Sequence, residues 1–473
     1  MYEQRDPVVN NWFGDIQTRP RVVVKPTTID EIVTVLKNPD KYPSPLRAVG
    51  SNHSVTRCTV ADGGTQIDMT GFTKIVQIGP DFVTAQAGAL YIDVAKELEK
   101  RNLQFYVNIE LGNLTIGSGA CCGTKDGSHP GEFGQVNAYC TAMKLITPAG
   151  EIMEVTEAKD PELMQALRSS YGLMGIVFEA TFRVRRLAPL IVENVPYTVD
   201  GFVEALPSIL KGSDALMFYL NPYVGSSGSM IVELSRFGEP TDRPPSRLPW
   251  KLRNLVWKNL GPGFSHLCTA YIPSPGLRYG LVDTSLRLQQ WSASFLVKGQ
   301  NTRAPDQTIR YPHRGGVSKY SFSLWGFPEE AYGPILKEYV RFSRDHFRRT
   351  GYRNDVFDVG FRVGKDTKSL LSYTYDGTRI TIDPVSTCGP GWNEYLVAYN
   401  EFCSRNGGAP LFNQTPFLTH AQVKKALGPR LEKFLEYRKR FDPGDRLLSP
   451  YFSDFLWERV PAPAGSQASV ARA

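Results

Sequence analysis

Apolar residues Ile29, Ile32, Val33 and Leu36 fall at i, i+3, i+4 and i+7 behind Pro26-Thr27-Thr28, and Thr28 and Glu31 have capping-box spacing. The pattern predicts a helix here, ended by Pro39. Short apolar runs at Leu46–Val49, Thr65–Met69 and Phe82–Ala87 predict strands, and Leu90, Val94 and Leu98 put one stripe on a helix over Leu90–Lys100. Strands and helices mix without the regular alternation of a doubly wound sheet, so an α+β domain is expected. Past Arg185-Arg186-Leu187-Ala188-Pro189 the texture changes, with Gly, Ser, Pro and aromatics crowded from about 221 to 275. A second domain is placed there. It is expected to hold a strand at Lys319–Leu324 and a helix from Pro328 with Tyr332, Leu336 and Val340 on one face. A hairpin is expected too, with Leu370–Tyr375 and Thr378–Ile382 flanking the turn pair Asp376-Gly377. A last helix through Leu431–Leu435 runs to Asp442-Pro443-Gly444, and the tail from Pro461, mainly Ala, Pro, Gly and Ser, is expected to be disordered.

At 473 residues the chain exceeds one ordinary core and suits two domains. Lys and Arg exceed Asp and Glu by 54 to 47, but the surplus is spread out, with no basic run of the kind that nucleic-acid binders carry. Met1-Tyr2-Glu3-Gln4-Arg5-Asp6 lacks the pattern of a secretory signal, and no stretch reaches the roughly 18 apolar residues of a membrane span. A cytoplasmic enzyme with no nucleic-acid partner and no membrane span is expected. The seven cysteines are scattered without CxxC spacing, so neither a disulfide framework nor a metal site is indicated. Adjacent Cys121 and Cys122 read as small side chains under close packing.

Two loops of small residues stand out. Arg47-Ala48-Val49-Gly50-Ser51-Asn52-His53-Ser54 is a strand running into a loop with several backbone N–H donors, a concavity suited to phosphate oxygens. Thr115-Ile116-Gly117-Ser118-Gly119-Ala120-Cys121-Cys122-Gly123-Thr124 holds nothing larger than Ile, which implies close backbone approach. Either alone could be a turn. Neither is a GxGxxG opening a βαβ unit nor a GxxxxGK, so the usual nicotinamide and nucleoside-triphosphate readings fail.

At these residues the chain resembles the vanillyl-alcohol oxidase superfamily, also called the p-cresol methylhydroxylase (PCMH) type, in its aldonolactone and alditol oxidase branch. The resemblance covers most of the chain and implies an α+β, two-domain FAD-binding fold with an α+β cap. It implies an FAD domain over 1–190, a cap (substrate) domain over 191–430, and a return to the FAD domain over 431–460, before the tail at 461–473. His53, in Gly-x-x-His-Ser, matches the position where the family bonds the flavin 8α carbon to a histidine nitrogen. Gly50, Ser51, Asn52 and Ser54 are implied FAD contacts beside it, as are Thr115, Gly117, Ser118, Gly119, Cys122, Gly123 and Thr124 of the second loop. A third signature is resembled by Ser170-Tyr171-Gly172-Leu173-Met174-Gly175-Ile176-Val177, with Gly175 and Val177 over the cofactor. Arg440-Phe441-Asp442-Pro443 through Pro450-Tyr451-Phe452 is similar to the family's C-terminal return. The doubly linked subgroup adds a cysteine just before the second loop; Phe105–Leu114 has none, which implies a single histidyl link.

In the cap, Gly360-Phe361-Arg362 followed by Asp366 is the match to the branch's Glu-x-Arg strand, and Pro410-Leu411-Phe412-Asn413-Gln414 to its Pro-His-Trp-Gly-Lys segment. Arg362 fits, while Gly360, Leu411 and Gln414 replace a carboxylate, an imidazole and an ammonium. With Tyr320, Phe322, Trp325 and Phe412 nearby in sequence, a less polar substrate pocket is expected than a polyol needs. Arg362, Asn413 and Gln414 are the candidate catalytic contacts, and no base is named. The implied function is an FAD-linked oxidase that takes a hydride from a C–OH or similar C–H donor of a small molecule and delivers the electrons to dioxygen. Three alternatives stand: a dehydrogenase or reductase with another acceptor, a biosynthetic oxidative cyclase, and a protein holding flavin only for structure.

Overall fold

The computed structural model describes residues 1–110, 112–212, 214–239, 248–302 and 320–458. The predicted tail from Pro461 lies outside them. The first helix forms over Ile29–Lys37, with both hydrogen bonds of the Thr28/Glu31 capping box in place, and its apolar stripe buries Ile32, Val35 and Leu36. Tyr2–Arg5, Val22–Lys25, Thr65–Asp68 and Leu46–Val49 make a four-stranded sheet in that order, the last three strands parallel.

A second sheet is antiparallel, ordered Ile152–Thr156, Cys140–Ile146, Ile176–Arg186, Phe82–Gln86, Ile75–Ile78. The helix Tyr91–Glu99 buries Ile92, Val94, Ala95 and Leu98 beside it. These two sheets fix the ends of every loop singled out above. Leu46–Val49 delivers the His53 loop, the start of Ile176–Arg186 carries Val177, and the second loop is tied to the end of Phe82–Gln86. There the Gly117 N–H donates to Ala87 O at 2.8 Å and the Ile116 N–H to Ala89 O at 2.9 Å.

After Arg186 the chain builds an eight-stranded antiparallel sheet: Gln300–Thr302, Leu190–Thr198, Ser229–Phe237, Ala215–Asn221, Asp358–Val363, Arg379–Ile382, Trp325–Pro328, Ala409–Pro410. Its central strands are buried on both faces, so alternation decides where each side chain goes. Leu216, Phe218 and Leu220 pack with the helices Val199–Lys211 and Tyr332–Thr350, the latter burying Tyr332, Leu336 and Val340 as expected. Met217 and Tyr219 pack on the other face with Phe357 and Phe361 and with helices from 261–296. The helices Trp392–Arg405, His420–Leu427, Pro429–Phe441 and Pro450–Leu456 then carry the chain back to the first region.

Two expected elements differ. Arg379–Ile382 is a strand, but it pairs with Trp325–Pro328 and Asp358–Val363, and 370–375 is not a strand at all. Neither Asp376 nor Gly377 has the positive φ that a tight hairpin turn requires. The segment instead satisfies its polar groups against the first region: the Leu370 N–H donates to Gln165 O at 2.9 Å, Gln135 Nε2 to Ser372 Oγ at 2.7 Å and Tyr373 OH to Thr124 O at 3.2 Å. The Lys319–Leu324 run, whose Lys319 lies outside the described residues, holds only the strand Ser321–Phe322, which pairs with Val385–Ser386.

A Cβ on Gly360 would lie 2.0 Å from Phe218 Cζ, so this glycine is demanded by strand-to-strand packing. Gly360→Ala should therefore destabilise the protein by about 1–3 kcal/mol through overpacking. Gly377→Ala, whose added carbon meets nothing within 4 Å, should leave stability nearly unchanged. Thermal and urea unfolding of the two variants checks this.

Candidate functional site

The loops converge on one cavity, of about 240 Å³, between the two small sheets and the large one. Gly50, Ser51, Asn52, His53 and Ser54 line it, with Thr115, Gly117, Ser118, Cys122, Gly123 and Thr124 of the second loop, Gly175 and Val177 of the third, and Asn413 and Gln414 of the returning segment. Gly119 lies elsewhere: its missing Cβ faces Val136, Leu114 and Phe182, so it serves the packing beneath the loop rather than the cavity wall. At Gly50 the added carbon would sit 2.3 Å from Thr115 Oγ1, so this glycine lets the first two loops close on each other.

Among the described residues, the backbone N–H groups of Gly50 through Ser54 donate to no protein acceptor. Asn52 takes a left-handed φ of 52° and lines the cavity with its neighbours. Such a run of amides around a left-handed residue is a concave nest for anionic oxygens.

His53 is half-buried, its Nδ1 is buried and has no hydrogen-bond partner, and desolvation lowers its pKa from the ordinary imidazole value to about 4. The ring is therefore neutral near pH 7, with a lone pair available. Trp12 stacks on it with ring centroids 4.3 Å apart and planes 16° from parallel. The N-terminal segment is clasped to the loop: the Trp12 N–H donates to Asn52 O at 3.0 Å, Asn52 Nδ2 to Asn10 O at 2.9 Å and Asn11 Nδ2 to Ser54 O at 3.0 Å. No periodicity in residues 10–16 announced this role; the Asn-Asn-Trp-Phe cluster was its one visible trace.

Arg47 underlies the whole arrangement. Its buried guanidinium donates to Cys58 O at 3.0 Å, Leu447 O at 2.9 Å and Tyr171 O at 2.5 Å, and lies 5.1 Å from the centre of the Phe452 ring. One side chain thus joins the first loop, the third signature and the C-terminal return. Cys121 is buried and its thiol is pushed up to about 12 by desolvation, which leaves it unreactive packing.

On the cap side the walls are Tyr219, Trp257, Tyr320, Phe322, Phe357 and Phe361. Arg362, expected to reach substrate, does not line the cavity. It follows Phe361 in a strand, so its side chain leaves by the opposite face, where Nε donates to Glu329 Oε2 at 2.5 Å. Gly360 shares the face of Arg362, so neither residue reaches the cavity.

Asn413 and Gln414 are brought in: Ser54 Oγ donates to Asn413 O at 3.0 Å, Asn413 Nδ2 to Gly123 O at 3.3 Å, and the buried Asn413 Oδ1 and Gln414 Oε1 have no partner. Sequence reading missed Lys125 and Asp383. Lys125 lies just past the second loop, pairs with the fully buried Asp383, and sits 4.6 Å from the centre of the Phe322 ring. Burial pushes Asp383 up to about 6 against the opposing pull of Lys125, and its Oδ1 is unpartnered.

Comparison with known proteins agrees with this geometry. Residues 20–156 match the FAD binding domain family. L-gulono-1,4-lactone dehydrogenase of Mycobacterium tuberculosis is 24% identical over 451 residues, 94% of this chain and 98% of that protein. L-gulonolactone oxidase of Mus musculus is 23% identical over 456 residues, 94% and 98% of the two chains. Among solved structures, a histidine-to-alanine mutant of cholesterol oxidase from Brevibacterium sterolicum aligns with a TM-score of 0.74 at 13% identity, covering 96% of this chain and 97% of that one, and so shares the fold.

Residues 20–156 are thus an FAD binding domain, and over nearly its whole length the chain is similar to lactone oxidases and dehydrogenases. Its relatives are oxidoreductases acting on CH–OH groups. The cavity fits FAD by its own features: an amide nest without acceptors, a neutral imidazole with a buried, unpartnered Nδ1, and two carboxamide oxygens left without donors.

Arg47→Met should cost about 3 kcal/mol or more, because three buried carbonyls lose a charged donor. Urea unfolding should show the loss, and the purified variant should retain less flavin than the unaltered protein. Full flavin content at unchanged stability would refute the joining role of Arg47.

Proposed function

We propose that this FAD-linked oxidoreductase carries its FAD on a single covalent bond to His53 and oxidises an alcohol of low polarity, with dioxygen as acceptor. The observation that carries the reading is the half-buried, neutral His53 ring beside the amide nest, with its buried Nδ1 unpartnered. An imidazole with a free lone pair is what attack on the electrophilic 8α carbon needs. The bound flavin would supply a two-electron acceptor, taking a hydride at N5 and passing the electrons to dioxygen.

The chain's own residues do the rest. Trp12 holds the His53 plane, and the nest of Gly50 to Ser54 would receive the pyrophosphate. Asn413 and Gln414 offer polar contacts to substrate or cofactor, and Phe322, Phe357, Val359 and Phe361 exclude water around the reacting carbon. Asp383, with an unpartnered oxygen on the cavity and an affinity for protons raised toward neutrality, is suited to take the proton of the alcohol hydroxyl, with Lys125 neutralising the carboxylate between turnovers. The apolar wall supports a weakly polar donor, since each polyol hydroxyl left without a partner costs about 1–3 kcal/mol. A second reading, a dehydrogenase using another acceptor, is favoured by the dehydrogenase name of the mycobacterial relative. Rapid reoxidation of the reduced protein in air separates the two.

Yellow colour should persist in the pellet after acid precipitation and be lost to the supernatant in His53→Ala; acid-extractable flavin in the unaltered protein would disprove the bond. In an anaerobic screen, apolar primary and secondary alcohols should bleach the flavin faster than xylitol, sorbitol or aldonolactones, and the reverse order would refute the substrate class. With a reactive alcohol, kcat/KM should fall as pH drops through about 6, where the Asp383 carboxylate gains its proton. Asp383→Asn should lower kcat by about 10²–10⁴ and abolish that limb. Retention of the limb in the variant would clear Asp383 of the role.

A further inference from the structure

Of the nineteen large hydrophobic side chains exposed among the described residues, twelve lie between Leu248 and Phe295. This stretch is helical over Leu248–Asn254, continues as a wider turn through Leu260, and goes on in Gly261–Tyr271 and Pro275–Leu296. In the long helix the buried Val282, Leu286 and Ala293 fall at i, i+4 and i+11, the stripe that packs on the large sheet. The exposed Leu277, Leu281 and Leu288 fall at i, i+4 and i+11 on the opposite side. In the preceding helix the exposed Phe264, Leu267 and Tyr271 repeat the pattern at i, i+3 and i+7. Helices with an apolar face on both sides belong between two apolar layers, and among the described residues only the inner layer is protein.

Charge says what the outer layer is. Residues 248–298 hold six Lys and Arg against one acid, Asp283; Arg253 is buried and paired with Glu233, and the Asp283 carboxylate pairs with Arg353 at 3.1 Å. Lys251, Arg287 and Lys298 are exposed among the apolar residues. Outward apolar stripes bordered by cations fit the interface of an anionic bilayer. No helix among the described residues is long and apolar enough to cross a membrane, so these helices would lie in the surface. The same helices present Asn254, Trp257, Pro262 and Gln289 to the cavity from their inner side. The layer that would touch lipid is therefore one helix thick above the site.

We propose that the helices of residues 248–296 dock this enzyme on an anionic lipid surface. The proposal stands on exposure and charge and does not depend on the covalent flavin. The full-length holoprotein should co-sediment with phosphatidylcholine vesicles containing phosphatidylglycerol, bind phosphatidylcholine alone more weakly, and lose part of its binding at high salt. The triple variant Leu267→Gln, Leu281→Gln, Leu288→Gln, altered only on the outward stripes, should bind such vesicles at least about ten-fold more weakly at an unchanged thermal midpoint. Failure of the unaltered protein to bind anionic vesicles, equal binding by the triple variant, or a dimer in solution that the triple variant abolishes without any vesicle binding would each overturn the proposal.

Discussion

A buried guanidinium without a carboxylate partner is the constraint on which the rest of this structure hangs. Arg47 keeps its charge away from water only because three backbone carbonyls, from Cys58, Tyr171 and Leu447, all point at it. Each carbonyl belongs to a different segment, so satisfying one ion fixes three loops relative to one another. Asp442 extends the arrangement by accepting from the Arg446 and Leu447 N–H groups at 2.9 and 2.8 Å, which aims Leu447 O at Arg47. Loops rich in small residues would otherwise have little to hold them, and a cofactor site made of backbone amides needs those amides stationary.

The polarity of the cavity follows from the period of two along its strands. In Asp358–Val363 the alternate residues Val359 and Phe361 face the site while Gly360 and Arg362 face the helical layer, and Tyr219 continues the apolar wall from the neighbouring strand. Charge enters the cap side of the cavity at Lys125 and Asp383, where a residue near the second loop meets the end of a cap strand, and Glu110 and Arg47 also line the cavity. The Lys125–Asp383 pair joins the two halves of the molecule, and burial of Asp383 raises the proton affinity of its carboxylate.

Much of this was legible in the sequence because the signals were local. Thr28 and Glu31 mark a helix start by themselves, and Gly50 to Ser54 and Thr115 to Thr124 are small-residue loops whatever surrounds them. Asn413 and Gln414 line the cavity because a whole segment, rather than a single side chain, carries them there. The failures were questions of partner and phase. Arg362 lies on the face of its strand turned from the cavity, next to Phe361 on the face turned toward it, and which face a residue takes is decided by the fold. Asp376-Gly377 carries a turn preference that the docking of 370–374 on the first region overrides. Lys125 and Asp383 are 258 residues apart, and neither has a neighbourhood that distinguishes it until the fold joins them.

The span of the Arg47 contacts also sets an order of events in time. The donor is made first, and its acceptor at Leu447 lies 400 residues later in the chain. Until that segment emerges, the guanidinium has lost one of its three acceptors and the first loop is held on one side only. A contact closing so long a loop costs entropy before it is rewarded. The pocket is thus completed only once the segment carrying Leu447 has been made, and capture of a cofactor has to wait for it.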